Sequence, residues 1–307
     1  MRPFYYSLNE YLRDTYGTKL YKLSLDGGMS CPNRDGLIDT RGCIFCSKGG
    51  SGEFTGAAIL HNKCDIDTQI NLAKQLISQK YKGNEYIAYF QSYTNTYADT
   101  DYLRNLFYSV IKRPDIKILS IATRPDCLGP DVINLLNELN RIKPVWVELG
   151  LQSVHENTAR YIRRGYSLDV FKNAMNSLLG IGIKPIIHMI IGLPFETDKM
   201  MLETADYIGH CGAGGIKLQL LHVLKDTDLA AEYENKTFEA MSLTEYIQLL
   251  GKIIEILPKE MVIHRLTGDG AKRLLIAPKW SADKKNVINS INRYFKDNNI
   301  CQGRNYR

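Results

Sequence analysis

Cys31-Pro-Asn-Arg-Asp-Gly36, continuing through Arg41-Gly-Cys-Ile-Phe-Cys46, brings Cys31, Cys43 and Cys46 together directly after an apolar run at Leu20–Leu25. A Cys-x-x-Cys pair alone serves zinc, redox and iron–sulfur sites equally well. Three thiolates with no obvious fourth ligand suit a cubane cluster that leaves one iron open, because thiolates are the favoured donors to such clusters. A structural zinc needs a fourth ligand, for which His61 or Cys64 stand nearest. Gly36 and Gly42 let the loop wrap closely around an inorganic core.

Working outward, short apolar runs alternate with stretches whose apolar residues recur at helical spacing, the pattern of repeated βα units with a parallel sheet. Strands are expected at Leu20–Leu25, Tyr86–Ser92, Lys117–Thr123, Val145–Leu151, Lys184–Ile191 and Ile216–His222. Helices are expected at Asp65–Tyr81, Asp101–Lys112, Asp131–Arg141, Asp169–Leu179 and Asp198–His210; the first sets Ile66, Ile70, Ala73, Leu76 and Ile77 on one face. The cysteine loop therefore sits at the end of the first strand, where barrel active sites are built. Beyond His222 a polar stretch runs through Lys236. A helix follows from the capping box Ser242-Leu-Thr-Glu245 to Pro258, then an added strand at Met261–Leu266, a helix at Ser281–Lys296 and a mobile basic tail. The chain reads as an N-terminal segment (1–17), a barrel (18–225) and a C-terminal extension (226–307).

The 307 residues carry 39 Lys and Arg against 33 Asp and Glu, a net charge of +6, which is compatible with a polyanionic partner without requiring one. No apolar run approaches the roughly 20 residues of a transmembrane helix. The N-terminus lacks a secretory signal, so the expected location is cytoplasmic, with no membrane partner. Seven cysteines without an export signal argue against a disulfide framework.

On the cysteine triplet, the sequence resembles the radical S-adenosylmethionine (SAM) enzymes, and within them the branch of the Elongator catalytic subunit, where the cysteine spacing is also longer than usual. The resemblance covers about residues 18–225. A narrower bacterial family marked by Cys-Pro-Asn-Arg-Asp-Gly extends over nearly the whole chain. It implies an α/β partial (β/α)6 TIM-like barrel with a C-terminal extension, a [4Fe-4S] cluster on Cys31, Cys43 and Cys46, and SAM chelating the open iron. It also implies an electron donor such as flavodoxin or ferredoxin, which drives cleavage of SAM to a 5′-deoxyadenosyl radical.

Further residues are weighed against that reading. Gly49-Gly-Ser-Gly-Glu53 is either an ordinary turn or the glycine motif whose Gly50 carbonyl and Glu53 carboxylate accept from the methionine ammonium. Gln152 and Ser153 close the fourth strand where a buried parallel strand should stay apolar. Arg164 follows Gln152 at the separation at which related enzymes hold the ribose and the carboxylate, with Arg163 as its rival. His188 interrupts a strand just before Gly192-Leu-Pro, and is either a satisfied core histidine or a contact to ribose or adenine. Many relatives carry Glu at the place of Ala122, so one ribose contact is either absent or supplied elsewhere, with Thr123 as the candidate. The catalytic residue is not assigned; His264 and Arg265, in a polar strand end, and Tyr93, after the second strand, are candidates.

The kinship and the basic excess point to tRNA as substrate. Members of the narrower family look like enzymes that process carboxymethylaminomethyluridine to aminomethyluridine at the wobble position, supplying a separate methyltransferase downstream. Two alternatives stay open: radical chemistry on a small molecule or peptide, and a zinc-stabilised RNA-binding protein without catalysis.

Overall fold

The computed structural model describes residues 4–50, 52, 55, 65–268 and 270–307. Seven parallel strands form one curled sheet: β1 (Tyr21–Leu25), β2 (Tyr86–Phe90), β3 (Ile116–Thr123), β4 (Val145–Gln152), β5 (Ile186–Ile191), β6 (Gly215–Leu220) and β8 (Val262–Arg265), in that spatial order. Between β6 and β8 lies β7 (Val223–Leu224), which pairs antiparallel with β9 (Leu275–Ala277). The result is the α/β partial barrel expected from the sequence, with β8 added as a seventh strand beside β6.

Helices cover the outer face because their apolar stripes face the sheet. They include α1 (Leu8–Tyr16), α2 (Ile66–Ile77), α3 (Thr100–Ile111), α4 (Pro130–Asn140), α5 (Glu156–Tyr161), α6 (Leu168–Gly180), α7 (Asp198–His210), α8 (Asp228–Glu234), α9 (Leu243–Ile256) and α10 (Lys284–Asp297). Side-chain caps mark their starts: Asp65, Asp99, Ser167 and Thr197 each accept from a backbone N–H in the first turn. The capping box at Ser242 and Glu245 forms as read. Leu76 departs from the expected face of α2 and is exposed, since α2 ends at Ile77 and its buried stripe is Ile70 and Ala73.

Two short helices, α5 and α8, are too brief to leave a periodic signal. The N-terminal segment forms a helix, α1, that closes the lower end of the barrel. Its Leu12 is buried with Leu20, Ile87 and Ile118, Tyr11 packs on Trp146, and the Tyr6 carbonyl accepts from Ile263 N–H at 2.8 Å. Among the described residues the upper end stays open.

The expected mobile tail is instead pinned. Gln302 is 4% exposed; its amide donates to the carbonyls of Pro258 (2.7 Å) and Met261 (2.8 Å) and accepts from Tyr6 N–H (2.7 Å). Tyr306 stacks on His210, and Arg304 pairs with Glu255 at 3.0 Å. Val287, Ile291 and Phe295 of α10 are fully buried in the main core, together with residues of β4, β5 and β6. Among the described residues no helix is long and apolar enough to cross a membrane.

Candidate active site

A cavity of about 460 Å³ opens at the C-terminal ends of the strands. Cys31, Cys43 and Cys46 all line it. Their loop is held by the motif's own side chains. The Asn33 amide, 1% exposed, donates to the Arg163 carbonyl (2.7 Å) and reaches the Cys43 sulfur at 3.5 Å. Arg34 donates to the carbonyls of Cys46 (2.8 Å) and Ser47 (2.7 Å). Gly42 has a φ of 78° and packs where any Cβ would strike the Arg34 guanidinium, so a side chain there is excluded twice over.

Burial pushes the Cys43 thiol up to about 12, with Cys46 and Cys31 adding to the shift and Arg124 opposing it. Among the described residues no three His, Cys, Asp or Glu side chains converge as ligands of a single ion do. A cubane asks for something different, three thiolates spread over three irons, and this donor set fits it. His61 and Cys64, the zinc alternatives, lie outside the described residues.

The remaining candidates divide. Gln152 has a φ of 67° and lines the cavity, and its Oε1 is buried without a hydrogen-bond partner among the described residues. A buried acceptor left over in a cavity wall is a place where a ligand donor belongs. Gly50 also lines the cavity, at a φ of 54°; a Cβ there would lie 2.3 Å from the Tyr93 ring. Its carbonyl accepts from Tyr93 N–H at 2.9 Å, and the Tyr93 hydroxyl, also at the cavity, donates to the Lys48 carbonyl at 2.5 Å. Thr123 lines the cavity with its hydroxyl 2.5 Å from that of Thr96. Glu53 lies outside the described residues.

Ser153 and Arg164 are placed differently from the expectation. Ser153 is fully buried away from the cavity lining, and its hydroxyl donates to Glu196. Arg164, 1% exposed, touches the cavity, but its guanidinium donates to the carbonyls of Tyr166 (2.9 Å), Leu151 (3.1 Å) and Ser153 (2.7 Å) and pairs with Glu156 at 3.3 Å. It clasps the frayed end of β4, whose carbonyls lose their ladder there. Arg163 has a φ of 54° and pairs with Asp228 at 2.5 Å.

His264 is also corrected. It packs edge-on against Trp146 near the start of β4, outside the cavity lining, whereas its neighbour Arg265 lines the cavity. The register slip between β6 and β8 skips His264 and pairs Lys217 with Arg265.

His188 does face inward, and its partner is protein. Its Nε2 lies 2.9 Å from Glu148 Oε2. Burial, then Lys217, hold the imidazole down at about 4, so it is neutral, and Nε2 carries the proton that the carboxylate accepts. Burial alone would raise Glu148; Lys217 and Lys22 outweigh it and hold the carboxyl well below its usual range.

Sequence reasoning missed several residues here. Arg124, buried against Asp126 at 2.7 Å, stacks on one face of Tyr166, and Arg164 lies over the same ring. All three line the cavity. Glu148, Lys22 and Lys217 left a visible signal, a charge in the middle of an apolar strand; Tyr166 left none.

With this geometry established, comparison places the chain. The sequence profile of the radical SAM superfamily matches residues 40–208, and that of the Radical_SAM C-terminal domain matches 213–297. The chain belongs to the radical SAM superfamily. The protein YtqA of Bacillus subtilis (strain 168) is 44% identical over 300 residues, 98% of this chain and 92% of its own length. The tRNA uridine(34) acetyltransferase of Methanocaldococcus jannaschii is 23% identical over 185 residues, 59% of this chain and 33% of that protein. A solved structure of the archaeal Methanocaldococcus infernus Elp3 with an N-terminus deletion shares the fold at a TM-score of 0.68 and 15% identity, covering 92% of this chain and 64% of that one. The protein is a radical SAM enzyme, distantly similar in sequence to a tRNA uridine(34) acetyltransferase and in fold to Elp3, and the superfamily uses a [4Fe-4S] cluster with SAM.

Proposed function

We propose that this radical SAM enzyme acts on tRNA, converting 5-carboxymethylaminomethyluridine at the wobble position to 5-aminomethyluridine. The observation that carries the reading is the single cavity lined by Cys31, Cys43 and Cys46 at its rim and by the polar side chains of the barrel interior below. Bound there, cluster and SAM supply a 5′-deoxyadenosyl radical able to remove hydrogen from an unactivated C–H. In this reading Cys31, Cys43 and Cys46 hold the cluster, positioned by Asn33 and Arg34. Gln152, Gly50 and Thr123 line the space for SAM, with Glu53 as a further contact. Ser153 and Arg164 shape that wall from behind, and His188 orients Glu148 below it.

The tRNA part is supported by the similarity to a tRNA uridine(34) enzyme and by the net charge of +6. A base can reach this interior only when flipped out of its stack. A flavodoxin or ferredoxin would donate the electron, and a methyltransferase would take the product.

Mass spectrometry of tRNA nucleosides from cells with and without the gene tests the reading. Loss of the gene should accumulate carboxymethylaminomethyluridine and remove its aminomethyl and methylaminomethyl products. A gene carrying Cys46→Ala should fail to restore them. Unchanged wobble nucleosides would sink the tRNA assignment and move the search to small molecules or peptides.

A further inference from the structure

The inward faces of the strands are stacked in tiers. In the lower one, the Glu148 carboxylate accepts from Lys22 and Ser120, each at 2.9 Å, and from His188 and Lys217. Lys217 also reaches across the barrel to the Tyr89 hydroxyl at 3.0 Å. These groups answer one another, so the tier asks nothing of a ligand.

Residues two apart on a strand share a face, so the next tier toward the open end comes from the same strands. It holds Ser24, Gln91, Ala122, Gly150, Ile190 and Gln219, and all six line the cavity. Three of them are small, which leaves room above the charged tier; the two long polar ones are neutral amides. Gln91 follows β2 directly, and its N–H donates to the Leu25 carbonyl at 3.3 Å, which carries the ladder one residue further. It stands two residues beyond Tyr89, and Gln219 stands two beyond Lys217, so the two amides follow a pair that already meets across the barrel.

These amides are not satisfied by the protein. The Nε2 of Gln91 is buried with no hydrogen-bond partner among the described residues, and its Oε1 accepts from the Ser24 hydroxyl at a long 3.5 Å. The Gln219 side chain makes no hydrogen bond among the described residues. A buried donor left over in a cavity wall is a place where a ligand acceptor belongs. A primary amide sets one donor beside one acceptor, which complements a neutral –CO–NH– edge better than an anion or a cation.

We propose that Gln91 and Gln219 read the uracil edge of the substrate base, an amide nitrogen donating to a ring carbonyl and an amide oxygen accepting from the ring N–H between the carbonyls. The proposal rests on the preceding reading, in which the reacting base is a uridine. The adenine of SAM carries a comparable edge. Gln152 and Thr123, assigned above to SAM, lie further along their strands than Gly150 and Ala122, toward the open end, so the amide tier is the deeper of the two.

The test uses the cluster-loaded, full-length protein under anaerobic conditions with SAM present. Anticodon stem-loops with uridine or its difluorobenzene isostere at the wobble position are compared for affinity in wild type, Gln91→Met, Gln219→Met and the double variant. The isostere keeps the shape of the ring and removes its hydrogen bonds, and methionine does the same for the amide. In parallel, ligand-observed NMR compares the two free nucleosides, and SAM affinity is measured for each variant. Wild type should prefer uridine by roughly 10-fold or more, as expected when a buried donor loses its acceptor. Each Met variant should shrink the ratio, the double variant should bring it near one, and SAM affinity should hold. Should Gln91→Met not fold, Gln219→Met, on a separate strand, decides.

Stem-loops that bind with a ratio near one in wild type, or with a ratio that survives the double variant, overturn the subsite and leave the tRNA reading in place. A fall in SAM affinity with the uridine ratio intact assigns the amides to the cofactor and overturns it too. If no stem-loop binds but free uridine is preferred and the variants abolish the preference, the subsite stands and the tRNA reading falls. If neither probe shows a preference, the subsite falls.

Discussion

His188 is the residue at which protonation and folding meet. Its folded pKa of about 4 lies below the roughly 6.5 of an unfolded histidine, so between those values the unfolded chain binds the extra proton and stability rises with pH. His188 by itself should account for a loss of about 2 kcal/mol of stability between pH 7 and pH 5. Glu148 does not confuse this window: its folded pKa is depressed, so its contribution is present above about pH 4.3 and is lost only below it. Burial also holds the His264 imidazole well below its usual range, so it titrates in the same window on unfolding. Denaturant unfolding at the two pH values should show the drop in wild type, a part of it removed in His188→Gln, which keeps a donor for Glu148 but does not titrate, and nearly all of it removed when His264→Gln is added. An equal drop in the double variant would place the titrating groups elsewhere. The sequence showed His188 as a polar break in an apolar strand and left its partner open. The partner stands on the neighbouring strand, 40 residues away in the chain, and only the barrel's curl sets the two side chains against each other.

At the scale of elements, the chain's two ends are stitched together by one side chain. Gln302 satisfies the Tyr6 N–H and the carbonyls of Pro258 and Met261. Replacing it with Ala leaves these three backbone groups unmet in a buried place, an expected cost of about 2–4 kcal/mol. Chemical denaturation measures it; a change under about 0.5 kcal/mol, the range of a neutral surface substitution, would show that water or a shift of the tail makes good the loss. A polar, terminal stretch such as this tail is expected to be mobile, a rule of composition. What overrides the rule is satisfaction of buried backbone groups that composition does not record. The same limit explains α5 and α8, each too short for periodicity to register, while the strands and longer helices were legible from their apolar spacing.

At the scale of the whole molecule, the cysteine loop is tied to both halves of the chain. Asn33 holds the carbonyl of Arg163, and the Ile44 carbonyl accepts from Leu229 N–H at 3.0 Å. Anaerobically purified protein should be brown, and Cys43→Ala or Cys46→Ala should lose the visible absorbance while retaining a cooperative unfolding transition, because neither cysteine belongs to the main apolar core. A colourless wild type with one bound zinc would sink the cluster assignment. Deleting residues 280–307 is no probe of RNA binding, since it strips Val287, Ile291 and Phe295 from the core and should cost the fold itself. By itself the sequence determined the order of β and α units and the position of the cysteines after the first strand, because apolar periodicity and motif spacing are local properties of a chain. Only the tertiary structure decided which polar residues share the cavity. It moved Ser153 behind the wall, set Arg164 to clasping carbonyls, kept Arg265 but not His264 in the cavity lining, and gathered Lys22, Glu148, His188 and Lys217 from four strands. Register and barrel curvature set those meetings, and both arise from pairing between strands far apart in the chain.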